Sequence, residues 1–225
     1  MMTNLFSIFD PSSHIFNMNT SSNWISSWLI LWLTPYLFWL ASSRSLFLKQ
    51  KLNSFMINEM FNILTLKNKM AIIFLLSLFF FILVNNILGL LPFVFTSSAH
   101  LAFTLPLALT MWVGYMSASI FSNLTNLLAH MVPQETPTPL MPFMVLIETL
   151  SSIIRPFTLA IRLSANMVAG HLLLALMSSS LSIMTPLTSL SISTLQILLM
   201  LLESAVAAIQ AYVFTTLCTL YIQEA

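Results

Sequence analysis

Charge is what this 225-residue chain has least of: seven Lys and Arg and six Asp and Glu make up 6% of it, against 58% hydrophobic residues. Soluble domains carry roughly 25% charged residues, so a soluble core with a charged shell is excluded and the chain falls in the polytopic membrane class. A net charge of +1 with no Lys/Arg patch excludes a nucleic-acid surface. The single cysteine, Cys218, leaves no intrachain disulfide and no cysteine-based metal site. Three glycines cannot build a phosphate-cradling loop, and neither a His-x-x-x-x-His pair nor a Gly-x-Ser-x-Gly elbow occurs. No cofactor, no metal and no catalysis within this chain are therefore expected. Met1 to Trp24 contains no Lys or Arg and no small-residue cleavage site, so it reads as neither a secretory signal nor a transit peptide. Fifteen methionines beside so few charges suit an organelle-encoded product.

What fills the chain is long apolar runs. Five are long enough to span a bilayer: 24–41, 71–91, 101–128, 141–177 and 190–222. The expected fold is all-α and polytopic, a single membrane domain with about five embedded helices and an amphipathic surface helix. The 71–128 region forms a helical hairpin, and 141–222 forms a second, longer one. At roughly 1.5 Å per residue, the last two runs make about 55 and 50 Å of helix against a hydrocarbon core of about 30 Å. They must therefore bend, break or tilt steeply.

Five of the seven basic residues, Arg44, Lys49, Lys51, Lys67 and Lys69, flank one connector, 44–69. The positive-inside tendency puts that connector on the inner side, the N-terminus outside and the C-terminus inside. Within it Leu52, Phe55, Met56, Met60, Phe61 and Leu64 recur at helical spacing among Asn53, Asn58 and Glu59. That pattern predicts an amphipathic helix on the inner membrane surface; a disordered basic loop is the alternative.

Arg162 stands in the middle of the fourth run. A guanidinium at a membrane helix centre costs roughly 2.5–3.5 kcal/mol on insertion scales, so such a residue defaults to a functional site with a partner. It stays protonated, so it holds an anion or blocks a cation but relays no proton. Groups that do relay protons lie around it: Glu148 fourteen residues before, His171 nine after, and Glu203 in the next run. At about 100° per residue, Glu148, Arg155 and Arg162 share a helix face, joined by Asn166, while His171 falls about half a turn away. Glu203 and Gln210 share a face of the last helix.

An antiparallel hairpin of the last two helices can be registered from these residues. The midpoint of His171 and Glu203 is position 187, and that of Arg162 and Gln210 is 186. One fold at Pro186-Leu187 thus pairs His171 with Glu203 and Arg162 with Gln210. Glu148 then lies toward the inner face, Arg162 near the middle, and His171 with Glu203 toward the outer face. Two titratable groups divided by a permanent positive charge suit two offset proton half-channels. Other readings stand beside this one: Glu148 as a structural bridge to Arg155 or Arg162, and His171 as a hydrogen-bonded packing residue. Arg155 reads as snorkelling to the headgroups, His14, His100 and His130 as interfacial, and Cys218 as packing.

Several elements together resemble a known family. They are Ser7-Ile-Phe-Asp-Pro11, Asn85-Asn-Ile-Leu-Gly-Leu-Leu-Pro-Phe93, Val132-Pro-Gln-Glu-Thr-Pro137, Ile147-Glu-Thr-Leu-Ser151, Ile161-Arg-Leu-Ser-Ala-Asn-Met167 with Ala169-Gly-His-Leu172, and Glu203 followed by Ala208-Ile-Gln-Ala-Tyr-Val-Phe214. The chain resembles subunit a of the F-type ATP synthase in its mitochondrially encoded form. The resemblance implies a proton-translocating, non-catalytic stator subunit of the mitochondrial inner membrane, its N-terminus in the intermembrane space and its C-terminus in the matrix. It implies as partners a rotating ring of c subunits whose carboxylates face Arg162, a peripheral stalk and other membrane-sector subunits. By the same resemblance Asn166 and Gln210 are polar neighbours of Arg162, His171 and Glu203 belong to the outer half-channel, and Glu148 to the inner one. Glu135 departs from the family's usual Gly, and Ser164 from a common Thr.

Overall fold

The computed structural model describes residues 5–15, 18–28, 44–64, 69–91, 94–132, 138–181 and 186–224. Among the described residues, five α-helices carry the architecture: α1 (Arg44–Ile63), α2 (Lys69–Gly89), α3 (Leu101–His130), α4 (Met141–Leu181) and α5 (Pro186–Glu224). Before them come a 3-10 turn at Leu5–Phe9, a small antiparallel hairpin of β1 (Ser13–Ile15) and β2 (Met18–Thr20), and a 3-10 turn at Ser22–Trp28. Among the described residues, four helical stretches are long and apolar enough to cross a membrane: Ala71–Gly89, Leu101–Phe121, Met141–Ser180 and Thr188–Gln223. The protein is an all-α polytopic membrane protein. Of the run expected at 24–41, residues 29–41 lie outside the described residues, and its first residues belong to the Ser22–Trp28 turn.

Helix is the outcome these runs dictate, because a backbone in hydrocarbon must satisfy its own N–H and C=O groups. The same rule governs most of the hydroxyls. Ser77, Thr110, Thr149, Ser151 and Thr219 each donate to the carbonyl three residues earlier in their own helix. Helix α4 has 41 residues and α5 has 39, about 60 Å each at 1.5 Å per residue. Both are too long to stand upright in a core of about 30 Å.

α2 packs on α5, α3 on α4, and α4 on α5. The core between them joins Ile72, Leu75, Phe79 and Ile82 of α2 to Leu159, Ala160 and Leu163 of α4 and to Ala211, Phe214 and Cys218 of α5. Ala160 and Ala211 are fully buried, and such small residues let helix backbones approach where lipid supplies no hydrophobic drive of its own. Cys218 is a packing residue, as expected.

α1 forms where the amphipathic helix was expected, but its apolar residues divide. Met56, Met60 and Leu64, spaced by four, enter the core, whereas Leu52, Phe55 and Phe61 stay exposed. The contact with α2 and α5 takes one narrow stripe, and Lys49 reaches to 5.8 Å from the Phe80 ring centre.

Candidate functional site

The two long helices carry the polar residues toward each other. His171 Nε2 stands 4.0 Å from Glu203 Oε1, with the two side chains 13% and 5% exposed. This is an ion-pair distance beyond direct hydrogen bonding. Both Glu203 oxygens and His171 Nε2 lack a hydrogen-bond partner among the described residues. Gly170 makes room for the pair, since a Cβ built on it would collide with the Glu203 carboxylate. On its other side the His171 ring meets the edge of Phe9, with centres 6.3 Å apart and planes at 79°.

One turn back along α4, Asn166 Nδ2 donates to Gln210 Oε1 at 3.2 Å. The Arg162–Gln210 pairing expected from register is therefore replaced by Asn166–Gln210. Gln210 is 6% exposed and sits in the helix seam, whereas Arg162 is on the open face of α4. The midpoint rule treats two helices as parallel rods joined by a symmetric turn. Here α4 runs to Leu181 and α5 begins at Pro186, which falls at a helix start and not mid-connector; residues 182–185 lie outside the described residues. Among the described residues, none forms a hydrogen bond or ion pair with the Arg162 guanidinium.

At the far end of α4, Arg155 Nη2 lies 3.7 Å from Glu148 Oε1, and its guanidinium carbon 5.3 Å from the Tyr221 ring centre. Arg155 therefore does not simply snorkel: it ties Glu148 to the end of α5. The bridge uses Arg155 and leaves Arg162 out. Both side chains of this pair remain partly exposed, at 31% and 41%.

The His100 ring stacks on Phe95 at 5.1 Å and meets Trp24 at 5.3 Å. The side chains of His14 and His130, residues 133–137 with Glu135, and Lys67 lie outside the described residues. Sequence reasoning also left unused a buried polar group beside the His171–Glu203 pair. Asn86, fully buried, donates through Nδ2 to the Ala207 carbonyl at 3.3 Å, one turn past Glu203. Asn85 accepts from Ser97 Oγ at 3.3 Å. The signal was available: two adjacent amides stand near the end of a 21-residue helix whose other polar residues are Lys69 and Ser77.

With this geometry in hand, comparison with known proteins is decisive. The family profile of the ATP synthase A chain matches residues 19–223. The chain belongs to that family. It is 49% identical to ATP synthase subunit a of Locusta migratoria, over 100% of this chain and 99% of that one. It is 48% identical to the subunit a of Drosophila mauritiana with the same coverage, and 44% identical to that of Artemia franciscana over the whole of both. Membership makes this chain a membrane subunit of ATP synthase, working in a complex with that enzyme's other subunits.

Proposed function

We propose that this chain is the non-catalytic proton-conducting stator of the ATP synthase membrane sector, with two offset half-channels that meet a rotating ring of c subunits at Arg162. The observation that carries this reading is Arg162 itself, exposed on the open face of α4 and unpaired among the described residues. A charge that costs roughly 2.5–3.5 kcal/mol at a membrane helix centre needs a partner, and none is found among the described residues. A carboxylate on a neighbouring ring of helices would supply one. Glu148 with Arg155 marks the inner half-channel, and His171 with Glu203 the outer one. Asn166 and Gln210 hold the seam of the hairpin behind Arg162. The basic connector 44–69 on the inner side sets the N-terminus in the intermembrane space and the C-terminus in the matrix of the mitochondrial inner membrane.

The permanent positive charge repels a proton passing straight between the half-channels. Protons then cross only by riding the ring, and their passage is coupled to ATP synthesis in the catalytic sector. The peripheral stalk, on this reading, holds the subunit against the ring's torque.

The test is Arg162→Ala in the assembled synthase, with ATP-driven proton pumping as readout. Pumping should vanish while the complex still assembles; retention of most of the coupled pumping would sink the reading. A purely structural subunit would tolerate the change, and a self-contained transporter would move protons without the ring.

A further inference from the structure

The Ser7-Ile-Phe-Asp-Pro11 element meets the long hairpin from outside it. Its first residues belong to the 3-10 turn Leu5–Phe9, where the Asp10 N–H donates to the Ser7 carbonyl at 3.3 Å. Pro11 drives the residue before it toward extended backbone, so the turn stops directly after Phe9. The turn packs on α4. Phe6 is 67% exposed, whereas Phe9 is half-buried beside the His171 ring, with centres 6.3 Å apart and planes at 79°. Phe9 is also held from behind. The β1–β2 hairpin turns the chain back, and Asn23 Nδ2 donates to the Asp10 carbonyl at 3.4 Å, next to Phe9. Asn23 belongs to the Ser22–Trp28 turn, which is docked in its own right: Trp24 meets the rings of Phe95 and His100 at 5.5 and 5.3 Å, and Ser26 Oγ donates to the Phe95 carbonyl at 3.2 Å.

His171 needs such a neighbour. The torsion that turns its ring is broad and roughly two-fold, so the side chain alone does not decide which way the ring nitrogens face. Nε2 stands 4.0 Å from Glu203 Oε1 and has no hydrogen-bond partner among the described residues to fix it. Gly170, the residue before it, brings no side chain, and the space over that glycine belongs to the Glu203 carboxylate. A proton passes between the two groups only with Nε2 on the carboxylate's side, at hydrogen-bond distance or through one water. Half a turn of the ring would carry Nε2 away and stop the exchange. Phe9, standing across the ring on its other side, opposes that turn, and near-perpendicular rings with centres about 4.5–7 Å apart are a favoured aromatic arrangement.

We propose that Phe9 is a positioning residue for proton exchange between His171 and Glu203, presented to the imidazole by the N-terminal segment. The proposal rests on the half-channel reading and adds to it a part supplied from outside the two long helices. When the imidazolium gives its Nε2 proton to the Glu203 carboxylate, the pair becomes a neutral imidazole and a carboxylic acid. Phe9 exchanges no proton; it keeps the ring in the plane from which both the forward and the return step start.

The test uses complete ATP synthase in vesicles, with ATP synthesis driven by an imposed proton gradient in H₂O and in D₂O. Phe9→Leu fills much of the space without a ring, and Phe9→Tyr keeps the ring. Phe9→Leu should lower the rate roughly 2- to 10-fold, the worth of one aromatic pair, and raise the ratio of the rates in H₂O and D₂O, because proton exchange becomes the slow step. Phe9→Tyr should keep both the rate and the ratio of the parent. A normal rate and ratio in Phe9→Leu would overturn the positioning role, since volume alone would then suffice. A slow Phe9→Leu with an unchanged ratio would overturn it too, by showing that Phe9 merely covers the helix end, and so would a Phe9→Tyr as impaired as Phe9→Leu. If Phe9→Leu prevents assembly, Phe9→Met, a flexible replacement that also lacks a ring, is read by the same two measures. His171→Gln in the same vesicles separates the two levels. Normal synthesis by that variant overturns the place of His171 in the outer half-channel, whereas its loss beside a Phe9→Leu of normal rate and ratio overturns only the positioning role.

Discussion

The apposition of α4 and α5 at Gly170 and Glu203 allows a prediction with little freedom in it. A Cβ built on Gly170 lies 3.0 Å from Glu203 Cγ. One carbon–carbon bond of about 1.5 Å separates Cγ from Cβ, so the two Cβ atoms are at most about 4.5 Å apart. A disulfide needs Cβ atoms about 3.5–4.5 Å apart. Gly170→Cys with Glu203→Cys, in a Cys218→Ser background, should therefore crosslink readily in the assembled synthase. The pair also removes the carboxylate that a side chain at position 170 would strike. Gly170→Cys with Gln210→Cys should not crosslink, because seven residues shift the partner by about 10 Å along the helix. The assay is a mobility shift under mild oxidation, reversed by reductant. Preference for 210 over 203 would break the register, and with it the outer half-channel, even though family membership would stand. The same geometry makes Gly170→Ala alone harmful to proton flow, since Glu203 must leave its seat beside His171 to admit the methyl group.

Other outcomes follow from placement along the helices. Glu203→Gln should impair proton flux in reconstituted vesicles far more than Glu135→Gln, since the first lies in the seam beside His171 and the second falls in a proline-rich stretch of sequence between two apolar runs; equal effects would argue against the outer-channel assignment. Arg155→Ala should weaken inner-side proton transfer less than Glu148→Gln, because Arg155 holds Glu148 and Tyr221 in place but exchanges no proton. Comparison of the initial pumping rates of the two variants checks this ordering.

How far the sequence reached depended on the kind of interaction involved. Membrane helices follow from hydropathy and length alone, so α2 to α5 fall within a few residues of the expected runs. The His171–Glu203 meeting was legible because few polar residues exist to be matched. The partner of Gln210 was not, because helix ends break the assumed symmetry. His171 lies 10 residues before Leu181, whereas Glu203 lies 17 after Pro186. The role of Arg155 was hidden for a related reason, since its contact to Tyr221 joins opposite ends of a long hairpin. The Asn85–Ser97 contact depends on the Ser97–Ala99 turn folding over α2 and α4, a tertiary event that no local pattern announces.

If protons cross only by way of the ring, the interior of this chain has to be dry between its two titratable groups, and the packing meets that demand. Between Glu148 with Arg155 and Asn166 with Gln210, the buried faces are Leu159, Ala160 and Leu163 on α4 and Ala211 and Phe214 on α5. The polar atoms in this layer are turned inward on their own helices. Ser164 donates to the Ile161 carbonyl at 3.2 Å, and Thr215 to those of Ala211 and Tyr212 at 3.2 and 2.9 Å. Water therefore finds no row of open donors and acceptors there. Leu163→Asn would place a full amide in the middle of the layer, next to the Asn166–Gln210 bond. It should raise passive proton leak through assembled synthase vesicles and lower the protons pumped per ATP hydrolysed. Leu163→Met, which keeps volume and polarity, should not. Ile161→Asn is the informative control, because Ile161 is 52% exposed on the outer surface of the same turn and lies off the layer. A tight membrane with Leu163→Asn, or a leak of equal size with Ile161→Asn, would show that something other than this apolar layer keeps the two half-channels apart.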